Sequence, residues 1–253
     1  MSKLISDDEV EKIRQSGKIL AEVIREIKRL IIPGVKTSVL DQVAADLIKS
    51  HGARPAFLGY RGYPASICIS INEQVVHGIP GERVIESGDL VSVDIGVEFQ
   101  GFYTDAAFSV VAGDGNSLAQ KLVEVTEKSL YEGIKRALPG NRIGDISHAI
   151  QETIESAGFS VVRDFVGHGV GRALHEEPQI PNFGKKNRGV VIEEGMVLAI
   201  EPMANEGGYQ VEILDDDWTV VTKDGGLSAH FEHTVWVTKK GPVILTHSGD
   251  KEQ

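Results

Sequence analysis

A single cysteine, Cys68, stands among 253 residues, so no intrachain disulfide can form and the chain suits a reducing compartment. No apolar run approaches the roughly 18 residues of a membrane-spanning helix. Positive charge is in deficit: 26 Lys and Arg face 37 Asp and Glu, for a formal charge of −11. That balance argues against a general binder of nucleic acid or anionic membrane. The opening MSKLISDDEVEKIR lacks an apolar secretory core and is too acidic for a transit peptide. A cytoplasmic protein acting without nucleic acid or membrane is expected. No linker, charge run or low-complexity segment divides the chain, so a single domain spanning 1–253 is expected.

The composition that remains, 41% hydrophobic and 25% charged, is ordinary for a globular protein with a substantial core. Ser6 and Glu9 have capping-box spacing. After them Val10, Ile13, Leu20, Ile24, Ile27 and Ile31 recur at helical intervals until Pro33-Gly34 stops the pattern. A second helix is predicted from Thr37-Ser38 through Val43, Leu47 and Ile48 to Gly52. Residues 66–71 and 90–111 read as strands, the latter a hairpin turning near Phe99-Gln100-Gly101.

The pattern then returns. Pro33-Gly34 and Pro139-Gly140 stand 106 residues apart, as do Gly52 and Gly158. LVSVDIG at 90–96 is answered by MVLAIEP at 196–202, setting Asp94 against Glu201. Each of these strands is followed by another with an acid, Asp105 in FYTDAAF and Glu232 in AHFEHTVW. Two related α/β halves, roughly 10–111 and 116–238, are therefore expected, with the acidic strands meeting at the centre; the repeat is too long for a solenoid.

Asp94 and Asp105 raise a physical question, because VSVDIGVEFQGFYTDAAF is strand-like and mostly apolar yet contains no Lys or Arg. An unpaired carboxylate in a dry core costs several kcal/mol or shifts its pKa. If the halves face each other, Asp94, Asp105, Glu201 and Glu232 converge, and such a group cannot ionise together without cations. Two divalent ions would cancel the charge, and an oxygen-rich ligand set suits Mg, Mn, Fe or Co above structural zinc. His168, in the glycine-rich VGHGVGRALHEEP, is expected in a loop after a strand near 159–165 and offers a further ligand.

The motifs NEQVVHGIP, VDIGVEFQGFYTDAAF, GHGVGRALHEEP, AIEP and FEHTV together resemble the type I methionine aminopeptidases. The resemblance covers almost the whole chain. It implies the pita-bread fold: two pseudo-symmetric α/β halves, a central curved and mainly antiparallel sheet, and helices outside. It implies that Asp94 chelates one metal, that His168 and Glu201 bind the other, and that Asp105 and Glu232 bridge them. The ions would be Fe(II), Mn(II) or Co(II), with Zn(II) tolerated. A water or hydroxide between them would be the nucleophile and Glu201 the proton shuttle. His175 would face the scissile carbonyl and His77 the peptide nitrogen or substrate backbone. Tyr60, Tyr63, Cys68 and Trp218 match pocket positions, although Cys68 between Ile67 and Ile69 reads equally as a small buried hydrophobe. Asn72 and Ser228 resemble a secondary monovalent-cation site.

The implied substrates are nascent polypeptide N-termini with a small second residue, cut by a monomer for which the ribosome is a further candidate partner. Val76, Leu174 and His230 depart from the commonest pattern of the family without touching its ligand set. Two other readings share the motifs: a proline-specific aminopeptidase or dipeptidase, and a non-catalytic peptide-binding module. A phosphoester-cleaving site would want a basic residue near the ligands, and Arg172 is the candidate.

Overall fold

Glu9 closes the expected capping box, its carboxylate accepting from the Ser6 backbone N–H at 2.9 Å and from the Ser6 hydroxyl at 2.8 Å. This opens α1 (Asp7–Leu30), which buries Val10, Ile13, Leu20, Val23 and Ile27, with Ile31 buried at its C-cap. Helix α2 (Thr37–Ser50) buries the Leu40, Ala44 and Ile48 stripe, while Val43 and Leu47 pack at its edge. The computed structural model describes residues 5–247; residues 1–4 and 248–253 of the expected domain lie outside the described residues.

The remaining elements follow in chain order: β1 (Arg54–Pro55), β2 (Cys68–Ile71), β3 (Gln74–Val76), β4 (Leu90–Phe99), β5 (Phe102–Val111), α3 (Ser117–Ile134) and α4 (Ile143–Ser156). Then come β6 (Ser160–Val161), β7 (Val166–Gly169), β8 (Glu176–Pro181), β9 (Val197–Ile200), β10 (Met203–Asn205) and β11 (Val211–Ile213). Last are β12 (Val220–Thr222), β13 (Ser228–His230), β14 (His233–Thr238) and β15 (Gly241–Ile244). All pairings among these strands are antiparallel. One sheet sets β4 between β1 and β2 with β5 also on β4, and the largest runs β15-β14-β9-β7-β8. Two short sheets, β13-β10-β6 and β11-β12-β3, complete the set. Among the described residues no helix is long and apolar enough to cross a membrane.

The β4–β5 hairpin turns at Gln100 and Gly101, both at positive φ (53° and 85°), the geometry that a two-residue turn needs to match strand twist. Helices α1 and α2 pack together, as do α3 and α4, with α1 and α3 both lying against β5. The largest apolar cluster draws on all of them, from Leu20, Ile27 and Leu40 through Val93 to Ile146, Leu198 and Val235. Burying each such side chain contributes about 1.5–3 kcal/mol.

Hydroxyl groups and one backbone pair stitch β5 to the second half. The Glu232 N–H donates to Ala107 O at 2.9 Å, and the Ala107 N–H to Glu232 O at 3.3 Å. Thr234 Oγ1 accepts from the Asp105 N–H at 2.9 Å and donates to Asp105 O at 2.8 Å. Ser109 Oγ likewise accepts from the His230 N–H at 2.9 Å and donates to His230 O at 2.8 Å.

Three expectations change here. His168 is not in a loop but inside β7, between β8 and β9. Its flanking glycines answer close packing: a Cβ at Gly167 would stand 2.4 Å from Ala199 O, and one at Gly169 2.3 Å from Glu177 O. The strand expected near 159–165 is reduced to β6, two residues long. Glu201 and Glu232, read as strand residues, fall instead in breaks after β9 and before β14. At each break the chain changes sheets, β9 to β10 and β13 to β14, and Pro202 has no N–H with which to continue a ladder.

Replacing Thr234 with Val keeps the shape but leaves the buried Asp105 N–H and C=O without their partner. Thr234→Val is expected to lower unfolding stability by about 2 kcal/mol, read as a shifted urea midpoint with unchanged slope. Thr234→Ser should retain most of it. Wild-type stability in the valine variant would refute the stitching role.

Candidate metal centre

Register alone brings the acids of the first half together. Asp94 pairs with Ala107, and Gly96 with Asp105, so Asp94 and Asp105 are diagonal neighbours on one face. In the second half His168 pairs with Ala199 across β7 and β9, and Glu201 lies two residues beyond Ala199. His233 pairs with Ile200, which sets Glu232 beside Glu201. The Ala107–Glu232 backbone pair then joins the two sets across the seam.

The side chains converge accordingly. Asp105, His168 and Glu232 are buried and offer ligand atoms that all lie within 4.8 Å of one another. His168 Nε2 stands 3.6 Å from Glu201 Oε1 and 4.0 Å from Asp105 Oδ2. His168 Nδ1 lies 2.9 Å from Gly169 O, which suits Nδ1–H donating and Nε2 open to a ligand.

Burial pushes the Asp94 carboxyl up to about 7. Burial raises Asp105 as well, with Glu232 and Asp94 adding to the effect. Glu201 and Glu232 rise for the same reasons, burial first and neighbouring carboxylates second. No imidazolium supplies the missing charge, since burial and the nearby His175 pull His168 down to about 3. The basic side chain lining the cavity is Arg61, which is exposed. Arg172 is turned elsewhere: its Nε and Nη2 donate to Glu9 Oε1 and Oε2, both at 2.7 Å. The phosphoester reading thus loses the cation it named.

Buried oxygens without partners mark what is wanted. Among the described residues Asp94 Oδ1, Asp105 Oδ1 and Glu232 Oε1 have none. Hard anionic oxygens with one imidazole nitrogen fit a divalent ion, and such a cluster is a divalent-metal site in chemistry and in charge.

These groups open onto a cavity of about 150 Å³ that also touches His77, His175, Tyr60, Tyr63, Cys68 and Trp218. His77 sits at φ 60°, a left-handed conformation that costs about 1–3 kcal/mol, with its ring edge-on to Phe165 at 5.5 Å. Burial lowers its pKa to about 4. Burial and then Arg61 lower that of His175, whose ring centroid lies 4.3 Å from that of His168. Tyr63 meets Trp218 edge-on at 5.1 Å and donates its hydroxyl to Gly78 O at 2.9 Å. Cys68 is buried and pairs across the ladder with Asp94.

Asn72 and Ser228 do meet, the Ser228 N–H donating to Asn72 O at 2.8 Å, but away from this cavity. The Asn72 side chain holds the start of β4, accepting from the Leu90 N–H at 2.9 Å and donating to Asp89 Oδ1 at 2.8 Å.

Phe57 and Arg61 line the cavity too, and neither stood out as a site residue, because residues 56–62 carry no periodic pattern; Leu174, noted above for its departure from the family pattern, lines it as well. His230 is also close, its buried Nε2 lying 3.7 Å from Glu201 Oε2 without a hydrogen-bond partner among the described residues. Its place two residues before Glu232 was the available signal.

Residues 11–239 match the model of metallopeptidase family M24. A methionine aminopeptidase of Clostridium perfringens is 51% identical over 96% of this chain and 98% of its own length. Methionine aminopeptidase 1 of Bacillus subtilis is 52% identical over 92% and 94%. Among solved structures, a methionine aminopeptidase from Thermotoga maritima superposes with a TM-score of 0.96 at 47% identity, covering 98% of this chain and all (100%) of the other. A prolidase from Pyrococcus horikoshii, at 24% identity and a TM-score of 0.79, covers 97% of this chain and 63% of its own, and shares the pita-bread fold. The chain therefore belongs to metallopeptidase family M24, within its type I methionine aminopeptidases.

Proposed function

We propose that this chain removes the initiator methionine from nascent polypeptides whose second residue is small, using two divalent ions. The observation that carries the reading is the buried carboxylate cluster, three of whose oxygens lack a hydrogen-bond partner among the described residues, opening onto an aromatic-walled cavity. Asp94 would hold one ion, His168 and Glu201 the other, and Asp105 and Glu232 both. Fe(II), Mn(II) or Co(II) suit these donors, and Zn(II) is tolerated. Bound divalent ions acidify a water and polarise a carbonyl.

The chain's own groups do the rest. Glu201, placed after β9 with its carboxylate on the cavity, takes the proton of the attacking water and returns it to the leaving amine. His175 donates toward the scissile carbonyl, and His77 hydrogen-bonds the peptide N–H or the substrate backbone. Desolvation lowers the pKa of both, that of His77 to about 4, which favours the neutral imidazole. The ring faces and edges of Tyr60, Tyr63 and Trp218, with Cys68, form an apolar slot in which a thioether gains from aromatic contact. Asn72 and Ser228 are retained as a candidate monovalent-cation position near β4.

The unit is a single domain over 1–253 with halves at roughly 10–111 and 116–238, a reading supported by the apolar cluster common to both. It works as a monomer in the cytoplasm, with the ribosome a further candidate partner. A proline-specific activity is disfavoured because the prolidase likeness reaches only the fold. A non-catalytic module is disfavoured because all five ligands are present.

Met-Ala-Ser should be hydrolysed in preference to an Xaa-Pro peptide; the opposite preference in parallel rate measurements would overturn the assignment. Glu201→Gln should cost at least about 100-fold in kcat. Undiminished turnover in that variant would remove Glu201 from its role.

Metal-free protein should show the carboxylate cluster in its pH stability. The folded state retains protons that the unfolded state has already released, so this stabilisation is lost as pH rises through the raised values, about 7 for Asp94. Buried His168 and His230, both lowered to about 3, act oppositely but are complete above about pH 6.5. The Tm of stripped protein should therefore fall between about pH 6.5 and 8.5, while that of Mn(II)-loaded protein should not. Parallel curves for the two forms would contradict the cluster's protonation.

A further inference from the structure

One phenolic hydroxyl meets one of the two nitrogens of His175. Tyr60 Oη lies 2.8 Å from His175 Nδ1, with the rings tilted at 33° and their centroids 5.1 Å apart. His175 Nε2 has no hydrogen-bond partner among the described residues, and both side chains line the cavity. A neutral imidazole carries one N–H, so the partner at one nitrogen determines whether the other can donate.

Two directions are open to this hydrogen bond. If Nδ1–H donates to Oη, Nε2 presents a lone pair to the cavity and cannot stabilise negative charge on a substrate oxygen. If the phenol donates to Nδ1, the proton is on Nε2. The chemistry of the pair favours the second direction, because a phenol O–H is a stronger acid than the N–H of a neutral imidazole and so the better donor of the two. The guanidinium carbon of Arg61 stands 5.4 Å from the Tyr60 ring centroid, a cation–π contact that holds the ring in place. The backbone holds Arg61 there at φ 50°, between Gly59 and Gly62, which are also at positive φ (80° and 92°). This is an uncommon conformation for a side-chain-bearing residue.

We propose that Tyr60 is a positioning residue: its hydroxyl donates to His175 Nδ1 and so fixes the tautomer in which Nε2–H faces the substrate carbonyl. The inference rests on the role given above to His175, and it assigns the Tyr60 hydroxyl a task separate from the ring's place in the pocket wall. Removing the hydroxyl while keeping the ring separates the two.

The test uses Tyr60→Phe with two readouts. In metal-free protein, ¹⁵N NMR of the imidazoles, with His175 identified by the signal lost in His175→Ala, should find wild-type His175 protonated at Nε2 and accepting at Nδ1. In Tyr60→Phe the Nδ1 signal should lose its hydrogen-bonded shift and the Nε2–H population should drop. In loaded enzyme, Tyr60→Phe should lower kcat on Met-Ala-Ser by about 10-fold with KM within about 3-fold. The double variant with His175→Ala should be no slower than His175→Ala alone.

A proton on Nδ1 in the wild type, an unchanged tautomer in Tyr60→Phe, or multiplying losses in the double variant would each overturn the proposal. Full activity in His175→Ala would refute the role of His175 itself. That failure is distinguishable, because the NMR readout needs neither metal nor substrate.

Discussion

Carboxylates pressed together away from water set the terms for this structure. Asp94, Asp105, Glu201 and Glu232 rise above the ordinary carboxylate range through burial and one another's charge. The nearby histidines are pulled the other way and supply no counter-charge. Without a cation, the cluster is tolerated only by retaining protons, which weakens the fold as pH rises. With dications, the same charges become the strongest local reason for the two halves to stay together. Binding and folding are then one equilibrium.

The architecture serves that convergence. One sheet supplies Asp94 and Asp105 on a single face, and the remaining ligand candidates lie in or beside the sheet that holds β7, β9 and β14. The chain ends β9 and starts β14 at the carboxylates and changes sheets there. A seam of Ser and Thr hydroxyls and the Ala107–Glu232 backbone pair replaces a continuous ladder. Glycines on either side of His168 let neighbouring carbonyls approach closely enough to seat it.

Much of this was legible in the residues. The capping box, the helix stops at Pro33-Gly34 and Gly52, and the β4–β5 hairpin are local features written in local sequence, and they stand where expected. The acids were legible as a set because each violated the apolar pattern around it. What periodicity could not reveal were the sheet changes at Glu201 and Glu232, since a break that depends on a distant pairing partner leaves the local alternation intact. The same holds for His168, whose flanking glycines look like a loop but answer the carbonyls of β8 and β9. Phe57 and Arg61 were missed because their places arise from tertiary neighbours, and the buried His230 was noted only as a departure from the family pattern, its approach to Glu201 being a tertiary feature.

Proton counting tests the central claim most directly. Mn(II) titrated calorimetrically into stripped protein near neutral pH, in buffers of different ionisation enthalpy, reports both stoichiometry and protons displaced. The account predicts two ions per chain with net proton release, as the cluster gives up the protons that burial made it keep. Absence of binding, or binding with no protons released, would contradict it.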